Sequence, residues 1–213
     1  NSVMMRSWWP NVMQQTSVRA LAKLEFAWAL ASRMAETIND VSPPTMQLLG
    51  EIWSYAELTR SSLRAAEEGA ADYGNGTWLP SAEPFAAIRA TMPGWMTRVS
   101  EIIQLIGSHN VFAAPTRAQL DDAGLRPLID TYLRGAGDVT AEERARVFRL
   151  AWDFAGSGLA GRNLQYERFY LSSAPRNYVM AHLMADRTRG NELVDRFLTE
   201  KVGDTAHDHR KIA

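Results

Sequence analysis

Apolar side chains return every three or four positions along most of this chain, and no alternation of period two runs long enough to argue a sheet. Trp8, Val12, Val18, Leu21, Leu24, Trp28, Ala31, Met34 and Ile38 mark one long helix over residues 8–38. Pro43 and Pro44 break the chain after Ser42, and the fixed φ of proline suits the first turn of the helix that follows. That second helix carries Leu48, Ile52, Tyr55, Leu58 and Leu63 to about Gly69, where a glycine-rich stretch supplies the backbone freedom that ends it. A third begins near Glu83 and runs through Trp95, Val99, Ile102 and Ile106 to Gly107, with a kink or local break expected at Pro93-Gly94. Thr116 with Gln119, and Thr140 with Glu143, read as capping boxes that open two more helices. The second of these places Val147, Leu150, Ala151 and Phe154 on one face, reaches the glycines over 156–161 and resumes through Tyr166, Phe169 and Tyr170. Pro175 opens the last, amphipathic helix.

Five or six helices joined by short loops predict an all-α, antiparallel helical bundle with Leu, Trp and Met in a shared core. The length of 213 residues suits one such domain, over residues 1–200, followed by a polar tail over 201–213. Lys201, Arg210 and Lys211 in that tail read as a solvated end. The chain opens on Asn1 rather than Met and enters a Trp-containing stretch at once, so it reads as a segment of something longer.

Composition removes several function classes. With no cysteine, disulfides, thiolate zinc, iron–sulfur ligation and a cysteine nucleophile are excluded. Lys and Arg number 23 against 24 Asp and Glu, so no global charge draws the chain to nucleic acid or anionic lipid. No apolar run approaches the roughly 18 residues a membrane span needs, and the first residues lack a signal peptide's layout; a soluble, cytoplasmic protein is expected. Glu-x-x-His, the pairing that di-iron bundles use, is absent. Asp204, His207 and His209 fall in the polar tail and read as solvated, while His109 and His182 read as surface or hydrogen-bonded histidines. No metal site is expected.

Gly156-Ser157-Gly158-Leu159-Ala160-Gly161 matches G-x-G-x-x-G letter for letter. That fingerprint binds a dinucleotide only where a strand feeds the turn, whereas the residues before Gly156 have helical period and a capping box ahead of them. Glycines inside a helix each cost about 1 kcal/mol against Ala, so three in so short a stretch need a reason: close helix packing, a break, or a ligand approaching the backbone.

The residues that follow narrow the choice. Gly156-Ser157, Gly161-Arg162 and Tyr166-Glu167-Arg168-Phe169 resemble, in that order, the C-terminal signature of the 4-hydroxyphenylacetate 3-monooxygenase and chlorophenol 4-monooxygenase family, the two-component flavin-dependent phenol hydroxylases. Tyr132-Leu133-Arg134-Gly135-Ala136, Glu142-Glu143-Arg144 and Phe148-Arg149-Leu150-Ala151-Trp152-Asp153 resemble the same family, as does Arg19-Ala20-Leu21-Ala22-Lys23-Leu24-Glu25-Phe26. The resemblance spans roughly residues 1–200. It implies the C-terminal helical bundle of an acyl-CoA dehydrogenase-like architecture, in which an N-terminal helical domain and a middle β domain complete the enzyme and homotetramer formation brings one bundle against another subunit's flavin. It further implies reduced FAD, or FMN as the alternative flavin, delivered by a separate flavin reductase. A C4a-hydroperoxide formed on that flavin would hydroxylate a phenolic substrate, free or carrier-tethered, ortho to its hydroxyl or with loss of a halogen.

Carried onto this chain, the resemblance makes Gly156, Ser157, Gly161 and Arg162 the turn that approaches the flavin, with the arginine's planar fork suited to a pyrophosphate. Gln165 would contact the isoalloxazine edge or the phenol, and Asn163 completes the candidate set. No catalytic residue is assigned. Tyr166, Glu167 and Arg168 read instead as packed aromatic and ion-pairing residues; Glu167 and Arg168, being adjacent, would have to pair with other segments. Leu159-Ala160 and Gln165 depart from many relatives, which leaves substrate choice open, and the lack of cysteine disfavours the 4-hydroxybutyryl-CoA dehydratase branch. The competing readings are a non-catalytic helical interaction module and an acyl-CoA dehydrogenase-like oxidoreductase, for whose catalytic Glu no residue here can be assigned.

Overall fold

The computed structural model describes residues 2–74, 76–170 and 172–199, with side chains from Trp9 onward. The Trp8 side chain, the polar tail with Lys201, Arg210 and Lys211, and the Asp204, His207, His209 group lie outside the described residues. Three long helices form the frame, α1 (Ser2–Thr37), α2 (Pro43–Glu68) and α3 (Glu83–Gly107), with α2 running antiparallel to the other two. Alanines let them approach closely. Ala20, Ala27 and Ala31 of α1, Ala56 of α2 and Val99, Ile102 and Ile103 of α3 are all buried in one continuous core with Leu24, Met34 and Ile52. Among the residues expected to share that core, Val18, Trp28 and Leu58 are instead exposed.

The long α2–α3 connection is not an irregular loop. It holds a two-stranded antiparallel hairpin, β1 (Ala71–Gly74) and β2 (Thr77–Leu79), which corrects the expectation of no strand. Strands of four and three residues are too short to show alternation, but the Asn75-Gly76 pair between them is a recognised hairpin signal. The local break weighed at Pro93-Gly94 does not occur: α3 continues past Pro93 as one helix, and the Arg89 carbonyl, which proline's missing N–H leaves without its helical donor, accepts from the Asn177 side-chain amide at 3.4 Å.

Beyond Gly107 the chain turns sharply. A Cβ on Gly107 would lie 2.0 Å from Val111 Cγ2 and 2.8 Å from Met34 Cε, so the corner closes only on glycine. Ser108 follows at φ 46°, ψ −137°, a conformation rarely adopted by a residue with a side chain. Three short helices come next: α4 (Asn110–Ala113), α5 (Arg117–Asp121) and α6 (Arg126–Tyr132). Only α5 has a predicted start, its Thr116–Gln119 capping box; α4 and α6 carry too few residues to show a period.

The second capping box, Thr140 with Glu143, opens α7 (Ala141–Ala155), whose Phe148 and Ala151 join the main core. Leu150, expected on the same face, is exposed. Then comes α8 (Gly158–Phe169). The expected single last helix is two, α9 (Ala174–Met184) and α10 (Thr188–Thr199), because the Asp186 carboxylate accepts the Thr188 amide at 2.9 Å and caps a new start. α10 buries no residue among those described. No helix of the described residues is long and apolar enough to cross a membrane.

Candidate functional site

The six-residue glycine segment is a corner between two helices, as its helical approach implied, and not a strand-fed loop. Gly156 caps α7, giving its amide to Trp152 O at 2.8 Å, and Ser157 caps α8: its hydroxyl accepts the Ala160 amide at 3.2 Å and donates to Asp153 O at 3.0 Å. The glycines have different reasons. A Cβ at Gly156 would lie 2.4 Å from the Trp152 ring, so close packing within the chain explains it. At Gly158 and Gly161 a Cβ would meet no atom within 4 Å. Nothing in the described fold demands glycine there, although each weakens the helix.

Helical geometry sorts the remaining candidates. At 3.6 residues per turn, Gly158, Gly161, Arg162, Gln165 and Phe169 share one side of α8, while Ala160, Asn163, Leu164 and Glu167 share the other. Burial follows that division: the first set is exposed, whereas Ala160 and Glu167 are buried and Asn163 and Leu164 half-buried. Arg162 is exposed on the outer side, and no described residue pairs with its guanidinium. The structure therefore brings Gly161, Arg162 and Gln165 together and sets Ser157 at the start of that face. It does not bring Asn163 to them; Asn163 lines a small inner cavity of about 40 Å³ with Lys23, Met96, Ser100 and Glu167.

The inner side of α8 is held by a buried ionic cluster that links residues far apart in sequence. The Glu167 carboxylate, with its side chain 3% exposed, accepts bonds from both terminal guanidinium nitrogens of Arg19 and from Lys23 Nζ at 2.6 Å. Burial pushes this carboxyl up, but the bonds from Arg19 and Lys23 outweigh that and hold it below the usual carboxylate range. The Arg19 guanidinium also lies 4.9 Å from the centre of the Tyr166 ring, which stacks on Tyr170 at 4.5 Å. Burial, with the hydrogen bond to Tyr170, raises the Tyr166 hydroxyl above its ordinary value. Glu167 thus pairs with another segment, as adjacency to Arg168 required. Its partners could be found only in three dimensions, 144 and 148 residues upstream.

Elsewhere, an open groove of about 1010 Å³ runs between the end of α1 and α7, with Val147 and Leu150 inside and Arg33, Arg146, Glu36 and Asp153 among its rim. A smaller pocket of about 220 Å³ lies under the α3–α4 corner. Among the described residues no group of three or more His, Cys, Asp or Glu is arranged to hold a metal ion.

Comparison with known proteins places this geometry in context. The family model for the 4-hydroxyphenylacetate 3-hydroxylase C-terminal region, HpaB, matches residues 3–199. The oxygenase component of 4-hydroxyphenylacetate 3-monooxygenase from Thermus thermophilus is 31% identical over 182 residues, 85% of this chain and 37% of that protein. A Streptomyces globisporus monooxygenase, named for a 3-chloro-4-hydroxyphenyl substrate on a peptidyl carrier protein, is 31% identical over 71% of this chain and 29% of its own length. Among solved structures, the HpaB oxygenase component complexed with FAD and 4-hydroxyphenylacetate superposes with a TM-score of 0.84 at 30% identity, covering 90% of this chain and 40% of that one. The chain therefore spans between 29% and 40% of the length of these relatives.

Proposed function

Because this chain belongs to the 4-hydroxyphenylacetate 3-hydroxylase C-terminal family, we propose that it forms the flavin-facing helical wall of the oxygenase component of a two-component aromatic monooxygenase. One observation carries this reading: the outer face of α8 combines two glycines for which the described fold supplies no reason with an arginine that has no partner among the described residues.

That face fits a flavin. Missing side chains at Gly158 and Gly161 let a flat ring or a phosphate approach the backbone, and the Arg162 fork matches the oxygens of a pyrophosphate. Gln165, one turn further, offers both an amide donor and an acceptor to a ring edge or a phenol hydroxyl. FAD is the expected flavin, as in the related structure named for it, and FMN the alternative. Bound there, it would supply activated oxygen for insertion ortho to a phenol hydroxyl, or at a position from which halogen leaves. This chain's contribution is to hold the cofactor's anionic part through Arg162, orient the ring edge through Gln165 and exclude water with the aromatic and aliphatic side chains of the bundle.

The same reading assigns a separate flavin reductase as partner, a phenolic substrate that is free or carrier-tethered, and a homotetramer in which the apolar side chains exposed on α9 and α10, among them Val179, Leu183, Phe197 and Leu198, are covered. The test is titration of the intact oxygenase with reduced FAD under anaerobic conditions. Arg162→Ala weakens binding by about tenfold or more, the usual worth of a charge-assisted phosphate contact. Unchanged affinity removes Arg162 from the site.

A further inference from the structure

Three segments singled out in the sequence converge on a pocket that the flavin reading does not use. Tyr132 and Leu133 come from the end of α6, Arg144 and Phe148 from α7, and His109 and Asn110 from the strained corner at Ser108. The pocket encloses about 220 Å³, and none of its lining residues is acidic. Its apolar floor is Phe148 and Ala145, 1% and 2% exposed.

The electrostatics of Arg144 distinguish this pocket. The guanidinium is half-buried and lies 5.9 Å from the Phe148 ring centre. It donates to Asn110 Oδ1 at 2.7 Å and to the Arg134 carbonyl at 3.4 Å, both neutral acceptors. No described carboxylate forms an ion pair with it, in contrast to Arg19, Arg60, Arg98, Arg117 and Arg126, which all have one. Burial, with no opposing charge, pulls its pKa below the ordinary arginine value. A cation taken out of water without a counter-charge is costly, and its remaining N–H donors are free for an anion. The neighbouring backbone adds a second sign of purpose: Ser108 holds a left-handed conformation rarely adopted by a residue with a side chain, and it delivers His109 and Asn110 to the pocket wall.

We propose that this pocket is a binding site for a compact anionic group, a carboxylate or phosphate, held by Arg144 with donors from His109, Asn110 and Tyr132, over an apolar floor that accepts a single ring. The site is distinct from the outer face of α8. Arg144 precedes Gly156 by twelve residues on α7, about 18 Å at 1.5 Å per residue.

Calorimetric titration of the intact protein with inorganic phosphate, and separately with benzoate, tests the assignment. Binding of either probe, weakened about tenfold or more by Arg144→Gln and several-fold by His109→Ala, supports it. Phosphate alone identifies phosphoryl compounds as the natural ligands, and benzoate alone identifies aromatic acids. Failure of the unsubstituted protein to bind either probe overturns the proposal, and so does an Arg144→Gln protein that binds as before. If Arg144→Gln does not fold, the exposed His109→Ala decides alone, and unchanged affinity there overturns the proposal. Loss of probe binding in Arg144→Gln reads this pocket and loss of reduced-FAD affinity in Arg162→Ala reads the outer face of α8, so failure here and failure of the flavin reading are separately visible.

Discussion

Replacing Glu167 with a neutral side chain would leave the Arg19 guanidinium and the Lys23 ammonium facing each other at the seam between α1 and α8. Removing one partner of a fully buried pair costs about 3–5 kcal/mol; Arg19 and Lys23 reach solvent in part, so the expected loss for Glu167→Ala is smaller, about 2–3 kcal/mol. The pH dependence has a definite sign. Because the folded-state pKa of Glu167 is depressed, its stabilisation is present above the unfolded carboxylate value of about 4.3 and is lost as pH falls through the lower folded value. Thermal melts of Glu167→Gln should therefore fall less steeply than wild type below that pH. Equal slopes would mean that the cluster contributes nothing to acid sensitivity. This residue also marks where sequence reasoning stops: adjacency to Arg168 implies an ion pair with another segment, but the burial of Glu167 and its partners on α1 depend on how two helices cross.

At the scale of elements, legibility followed length and capping. The three long helices show many turns of apolar period, and the Thr116 and Thr140 boxes locate two helix starts from four residues each. The hairpin and α4 fall below the length at which any period can be read, and the α9–α10 break depends on one aspartate accepting one amide. Pro93 differs for another reason: tertiary packing of Met92, Met96 and Val99 on α1 and α2 holds α3 continuous where local chemistry allows a kink or a break. The Thr140 box starts the helix that carries Arg144 and is capped by Gly156, so both proposed sites depend on it. Thr140→Ala should cost about 1 kcal/mol, or about 2–4 °C in Tm for a chain of this size. A melt unchanged by Thr140→Ala would show that core packing alone fixes the start of α7.

For the whole molecule, the helical period and capping box ahead of Gly156 locate the glycine corner correctly as a helix-to-helix turn, and the three-dimensional structure divides its residues between two sides of the fold. Gly156 closes the chain on Trp152, and Asn163 turns inward, while Gly158, Gly161, Arg162 and Gln165 face out. That division could not be read from spacing alone, because it depends on which side of α8 Glu167 pins to α1. It also makes stability and function separable. An exposed helical glycine with open space around its Cβ should be improved by alanine when only folding is considered, by about 0.5–1 kcal/mol, whereas a cofactor lying against that backbone would be pushed away. The most direct measurement is thus a pair made on the intact protein carrying Gly161→Ala: its melting temperature without flavin, and its Kd for reduced FAD. A higher melting temperature with weaker flavin binding is the expected result; flavin binding as tight as in the unsubstituted protein would contradict the assignment of this helix face to the cofactor.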